Sequence, residues 1–254
     1  MHKRRWLVGF LLLILVVGIG LIAWQPLHEV NKGRRASTEG KQLIKALKKG
    51  QSVEIKTTPQ RTHIRADTAL SIPSVGIDLA VYKTTAGLAY GAYAELSGVK
   101  ADTAPGDNNY VLAGHSSYLH GVLFANLFQL TTSRGYERRA GAACRPSDYQ
   151  GGKGAGGLIQ VYTKLGTYTY QADVAYTVNG DDASILSDPQ AGSAKQIHLF
   201  TCPRTGHKHP PFRYVVQGHL IKVTPTKLGL QKHLDTSLTA SDPTAYRVGT
   251  LTSD

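Results

Sequence analysis

Cysteine is nearly missing from this chain: Cys144 and Cys202 are the only two in 254 residues. Two thiols exclude a disulfide-dense scaffold and a four-cysteine zinc module. Acidic side chains are also sparse, 17 against 29 Lys plus Arg, so the chain carries a formal +12. Charged residues make up 18% and hydrophobic residues 41%, which is too little charge and too much apolar surface for a disordered polymer. No Gly-Lys is followed by Ser or Thr at phosphate-loop spacing, and no nucleic-acid-binding motif accompanies the basic charge. A nucleic-acid partner is therefore not expected. Beyond residue 24 no long apolar run occurs, so the chain has at most one way into a membrane.

That way in lies at the start. Lys3, Arg4 and Arg5 precede the uncharged run LVGFLLLILVVGIGLIA at 7–23, flanked by Trp6 and Trp24. In helical form the run spans about 26 Å, close to a bilayer core, and the tryptophans match an interfacial aromatic belt. The run outlasts a signal-peptide core, and no small-x-small cleavage pattern follows it, so an uncleaved anchor is expected. The basic cluster touching the span sets residues 1–5 in the cytoplasm and the rest of the chain outside. Gly9, Gly18 and Gly20 form no Gly-x-x-x-Gly face for helix pairing.

Residues 6–24 are thus read as the anchor and 25–69 as a polar, basic stalk. Within the stalk, 37–50 (STEGKQLIKALKKG) forms a short solvated helix, its Leu43, Ile44 and Leu47 on one face. From residue 70 to about 224 the texture changes to short runs rich in Val, Ile, Tyr and Thr, separated by Gly, Pro, Asn and Asp. Strands are expected at 70–72, 79–82, 109–113, 158–163, 167–178, 196–201 and 212–222. The fold class is all-β, a closed or nearly closed antiparallel β-barrel with one or two short helices, one of them at 122–130. The segment 131–157 has no hydrophobic period and ends in GGKGAGG, and its composition predicts a disordered insert. The polar tail 225–254 is expected to be loosely held.

The strongest chemical signal is Ile197-His198-Leu199-Phe200-Thr201-Cys202, a strand that stops at a cysteine. A loop over 203–211 follows, and then an alternating strand that opens with Phe212-Arg213. Paired as a hairpin, these strands bring Cys202 near Arg213, where a permanent cation stabilises a thiolate or an oxyanion. Arg204 also follows the cysteine, but only Arg213 opens a strand. Nucleophilic cysteine catalysis needs an imidazole. His115 is the best placed of ten histidines, because it follows the strand at 110–113 and opens a loop of small residues. A zinc set of Cys202, His207 and His209 lacks a second ligand pair at recognised spacing. A structural bridge between Cys202 and Cys144 is the alternative role for the thiol.

These residues resemble a known family. Leu199-Phe200-Thr201-Cys202 is similar to the Leu-x-Thr-Cys signature of sortases, and Ala113-Gly114-His115 to the segment that carries their catalytic histidine. IPSVGIDL at 72–79 and LAYGA at 88–92 look like the first barrel strands of a class A sortase. The resemblance covers about 70–223 and implies a sortase-type barrel with Cys202 as nucleophile, His115 as general acid and base, Arg213 as oxyanion stabiliser and Thr201 as a substrate-positioning residue. It further implies transpeptidation at a Leu-Pro-x-Thr-Gly-type signal of secreted proteins in Gram-positive bacteria, with a peptidoglycan-precursor amine as acceptor. His198 stands where the family more often has Thr, and 131–157 is longer than the family pattern suggests. No metal or cofactor is expected, calcium tuning as in some relatives being left open. The same thiol and imidazole would equally suit a membrane-anchored cysteine peptidase that passes the acyl group to water, while a non-catalytic extracellular binding module would need neither.

Overall fold

The computed structural model describes residues 2–51, 53, 66–94, 103–117, 119, 121–139, 145–203 and 210–230. Most side chains up to residue 25 lie outside that set. The strands are β1 (Thr68–Ile72), β2 (Ile77–Tyr82), β3 (Ala92–Ala94), β4 (Asn109–Gly114), β5 (Leu158–Thr163), β6 (Gly166–Asn179), β7 (Gln196–Thr201) and β8 (Phe212–Pro225). They close into a barrel in the order β1-β2-β3-β4-β7-β8-β6-β5.

The barrel is mixed, and this corrects the antiparallel expectation. β2 runs parallel to β3, and β4 parallel to β7, while the other pairs are antiparallel. Alternating side chains fill the interior: Leu70 and Ile72, Leu79 and Val81, Tyr110 and Leu112, Ile159 and Val161, Leu199, Tyr214 and Val216. Each such Leu or Ile contributes on the order of 2 kcal/mol by leaving water. Helical turns among the described barrel residues are all 3₁₀: Pro73–Val75, Thr85–Ala89, Leu123–Gln129 and Ala183–Leu186. The expected helix at 122–130 is the third of these.

Residues 25–69 do not begin as a solvated stalk. A single helix, α1 (His2–Leu47), continues through Pro26, and its second half lies on the barrel. Leu43, Ile44 and Leu47 are buried against Ala69, Ala80, Tyr82 and Tyr162, the outward side chains of β1, β2 and β5. Both faces of β1 are consequently buried. Close approach depends on glycine: a Cβ on Gly40 would stand 2.3 Å from the Asp78 carbonyl oxygen, and one on Gly33 2.9 Å from Val122 Cγ2. Gly40→Val is therefore expected to cost about 2–3 kcal/mol through overpacking. Limited trypsin digestion should then cut at the exposed Arg34 and Arg35 well before it degrades the barrel, and unchanged protection would show that the contact is dispensable.

Among the described residues no helix is long and apolar enough to cross a membrane. Most side chains of the run at 7–23 fall outside the described set, and Leu12, Ile14 and Leu15 within it are exposed.

The 131–157 segment is a second correction, because its described parts are ordered on the barrel rather than detached. Ser133 and Arg134 amides donate to the Ala172 and Asp173 carbonyls, at 3.0 and 2.8 Å. Ala175 donates to Gly135 and accepts from Glu137. Gln150 and Gly151 amides both reach the Phe128 carbonyl, and Tyr149 bridges the rings of Tyr136 and Tyr214. Composition misled here because backbone amides do the holding, and they leave no mark on side-chain pattern. Cys144 lies outside the described residues, as does the tail from 231. Of the tail, β8 takes 225, and 227–230 form a helical turn.

Candidate active site

The parallel pairing of β4 with β7 assembles the site. Ala113 is in register with Phe200, and Phe200 with Val215 of β8. Side chains alternate along a strand, so residues two steps away share a face. Two steps forward on β4 and β7, and two back on β8, stand His115, Cys202 and Arg213. Neighbouring strands lie about 4.8 Å apart, so by that register the three positions fall in one row along the rim, His115 and Cys202 one residue past the ends of their strands.

Local bonds hold this rim. Thr201 is buried, and its hydroxyl donates to the Gly114 carbonyl at 2.6 Å, tying β7 to β4 directly beneath the row. That hydrogen is committed to the backbone next to His115. The Ser116 hydroxyl donates to the Cys202 carbonyl across the same two strands. Phe124 donates its amide to the His115 carbonyl at 3.0 Å, and its ring fills the space where a side chain at Gly114 would stand. The turn from this loop into the 3₁₀ helix passes through Leu123 at φ 51°, a left-handed conformation that costs a leucine about 1 kcal/mol. Ser116 was not singled out from sequence, since a loop serine carries no pattern of its own.

Cys202 has a free thiol and is half-buried. Arg213 turns its Nη1 toward its own loop, donating to the Pro210 and Phe212 carbonyls at 2.9 and 2.8 Å. Its guanidinium lies against Gly180, where a Cβ would come within 3.3 Å of it. His115 is exposed, yet its pKa lies below the ordinary imidazole value. Removal of water by the protein packed behind the ring is the main cause, the Lys32 cation adds to it, and Glu29 opposes it. Lys32 and Glu29 belong to α1, so the helix reaches the site electrostatically. The sequence reading missed both, having taken this stretch as stalk.

Other residues singled out from sequence fall elsewhere. His198 is buried, with Nδ1 2.7 Å from Asn109 Oδ1. Asn109 gives both amide hydrogens to the Ile185 and Ser187 carbonyls. Its oxygen is left to accept, so His198 donates. This network fastens the β6–β7 connection to the barrel wall. His219 pairs with Asp173 at 2.8 Å. Among the described residues no three His, Cys, Asp or Glu are grouped to hold a metal ion, and Arg204, His207 and His209 lie outside those residues.

Comparison with known proteins identifies the family. Residues 70–221 match the sortase domain family. The chain is 25% identical over 237 residues to Sortase A of Bacillus anthracis, covering 87% of this chain and 97% of that protein. Similar solved structures include sortase A of Listeria monocytogenes, 23% identical with a TM-score of 0.48, covering 66% of this chain and 95% of that one. Sortase A of Corynebacterium diphtheriae is 18% identical with a TM-score of 0.47, covering 80% and 96%. With a family match over most of the chain and a closed mixed barrel that ends its parallel strands at a histidine and a cysteine, this chain belongs to the sortase family.

Proposed function

We propose that the chain is a class A-like sortase that cleaves a Leu-Pro-x-Thr-Gly-type sorting signal between Thr and Gly and joins the Thr to a peptidoglycan-precursor amine. The observation that carries this reading is the single row of His115, Cys202 and Arg213 across three adjacent strands. The Cys202 thiolate attacks the Thr carbonyl carbon, and the charge that develops on oxygen is met by the Arg213 guanidinium. Collapse breaks the carbon–nitrogen bond. Protonated His115 gives its proton to the departing glycine amine, leaving a thioester and a neutral imidazole. The acceptor amine then attacks the thioester, His115 takes its proton, and the thiolate is released. Thr201 positions the substrate from below the row, through the strand it ties to β4.

Residues 7–23 serve as the membrane anchor in this reading, with residues 1–5 cytoplasmic and the barrel outside. Support comes from the length of the run, its flanking tryptophans, and the exposure of Leu12, Ile14 and Leu15. The class A-like assignment is supported by IPSVGIDL at 72–79 and by the Bacillus anthracis relative.

The test is intact-mass spectrometry of the full chain in detergent with a Leu-Pro-Glu-Thr-Gly peptide, with and without triglycine. Truncation near Ala66 is to be avoided, because it would strip α1 from Ala69, Tyr82 and Tyr162. A thioester at Cys202 that triglycine converts to an amide is the expected result. Acid product despite excess triglycine would make the protein a peptidase, and no adduct at all would favour a binding module.

A further inference from the structure

The order in which α1 meets the barrel is informative. Working outward from the apolar run, Glu29 and Lys32 come first and act on His115. Next, Gly33 abuts the loop at Gly121 and Val122, just beyond His115. Gly40 abuts Asp78 in β2, and Leu43 and Leu47 follow against β1, β2 and β5. Gly50 ends the series against Leu228, near the β5–β6 turn. The end of the barrel nearest the apolar run is thus the catalytic end.

We propose that α1 is a docked arm that holds the His115–Cys202–Arg213 row at the bilayer surface, facing it, with the β5–β6 turn pointing away. The partner surface is a lipid bilayer, and the substrates favoured are ones tethered in that bilayer. This rests on residues 7–23 spanning the membrane. At 1.5 Å per residue, Glu29 and Lys32 lie about 9 and 14 Å along the helix from Ala23. The headgroup layer beyond the hydrocarbon core is roughly 5–8 Å thick. The row therefore sits just outside the headgroups. Leu47 lies about 22 Å further along the helix than Lys32. Pro26 changes the direction of the helix at most, because a kink does not lengthen the connection. A free stalk would let the barrel tumble, whereas the glycine contacts and the buried leucines fix one end toward the membrane.

The experiment uses the full chain in lipid vesicles whose headgroups carry a short-range quencher. In a Cys144→Ser chain, a fluorophore is placed on Cys202. In a second chain, with Cys144→Ser and Cys202→Ser, it is placed on Lys49→Cys, an exposed position at the far end of α1. Co-sedimentation with the vesicles checks the anchor separately. The expected result is quenching at Cys202 several-fold stronger than at Lys49. Equal quenching, or stronger quenching at Lys49, in protein that sediments with the vesicles would overturn the inference and leave the anchor standing. Protein that stays in the supernatant would overturn the anchor and the inference with it. Neither readout depends on turnover, so the transpeptidase reading is judged independently.

Discussion

Cys202→Ala is expected to abolish the thioester and to lower transpeptidation by at least ~10⁴-fold, since no other group in the row supplies a nucleophile. The barrel should survive the change. Cys202 is half-buried, and its backbone carbonyl accepts a hydrogen bond from Ser116 that alanine retains. Far-ultraviolet circular dichroism and the melting temperature should therefore match the parent. Single-turnover assays with peptide and triglycine make the measurement. Activity reduced by less than about a hundredfold would remove Cys202 from the mechanism, because residual catalysis by binding and oxyanion stabilisation is far smaller than that.

The second large effect is at His115. His115→Asn should cost about 10³-fold, the usual worth of a positioned general acid and base. The pH dependence carries its own sign. Both the leading cause and Lys32 push the His115 pKa down, so the imidazolium that protonates the leaving amine is scarce at neutral pH and grows as pH falls. Lys32→Gln removes a depressing cation and should raise the His115 pKa. Glu29→Gln removes the opposing carboxylate and should move it lower. Titration of the His115 ring by NMR in each variant, on a Cys202→Ala background, decides the matter: a pKa that stays put, or shifts of reversed sign, would detach α1 from the site.

Most of the wall of this barrel was legible from its runs of Val, Ile, Tyr and Thr between turn residues, even though β4 buries all of its residues and β6, β7 and β8 bury several in succession. β3 was not, since Ala92–Ala94 is too short to show a period. Strand direction was illegible for a different reason: a strand's own pattern says which face is buried but nothing about its neighbour's sense. The parallel β4–β7 pair, on which the site depends, came into view only in three dimensions. Cys202, His115 and Arg213 were singled out from strand ends and loop chemistry, and the register of β4, β7 and β8 sets those strand ends side by side. The helix was misread because Leu43, Ile44 and Leu47 make a narrow stripe amid lysines, which suits a solvated helix as well as a docked one. What distinguishes the two is the surface opposite, where Ala69, Ala80 and Tyr82 are set far apart in sequence from the stripe they meet.

The ordered insert has a consequence for association between molecules. β6 runs on to Asn179, whereas its pairing with β5 stops at Gln171. Beyond that point one side of β6 would present unpaired amides and carbonyls, the kind of open sheet edge onto which a foreign strand readily adds. Residues 133–137 occupy that edge, and the Tyr136 hydroxyl pins them to Thr177 at 2.9 Å. The insert thereby acts as a self-supplied edge strand. A shortened version of this loop would leave a barrel closed at one end and adhesive at the other, ready to pair edge to edge with a second copy.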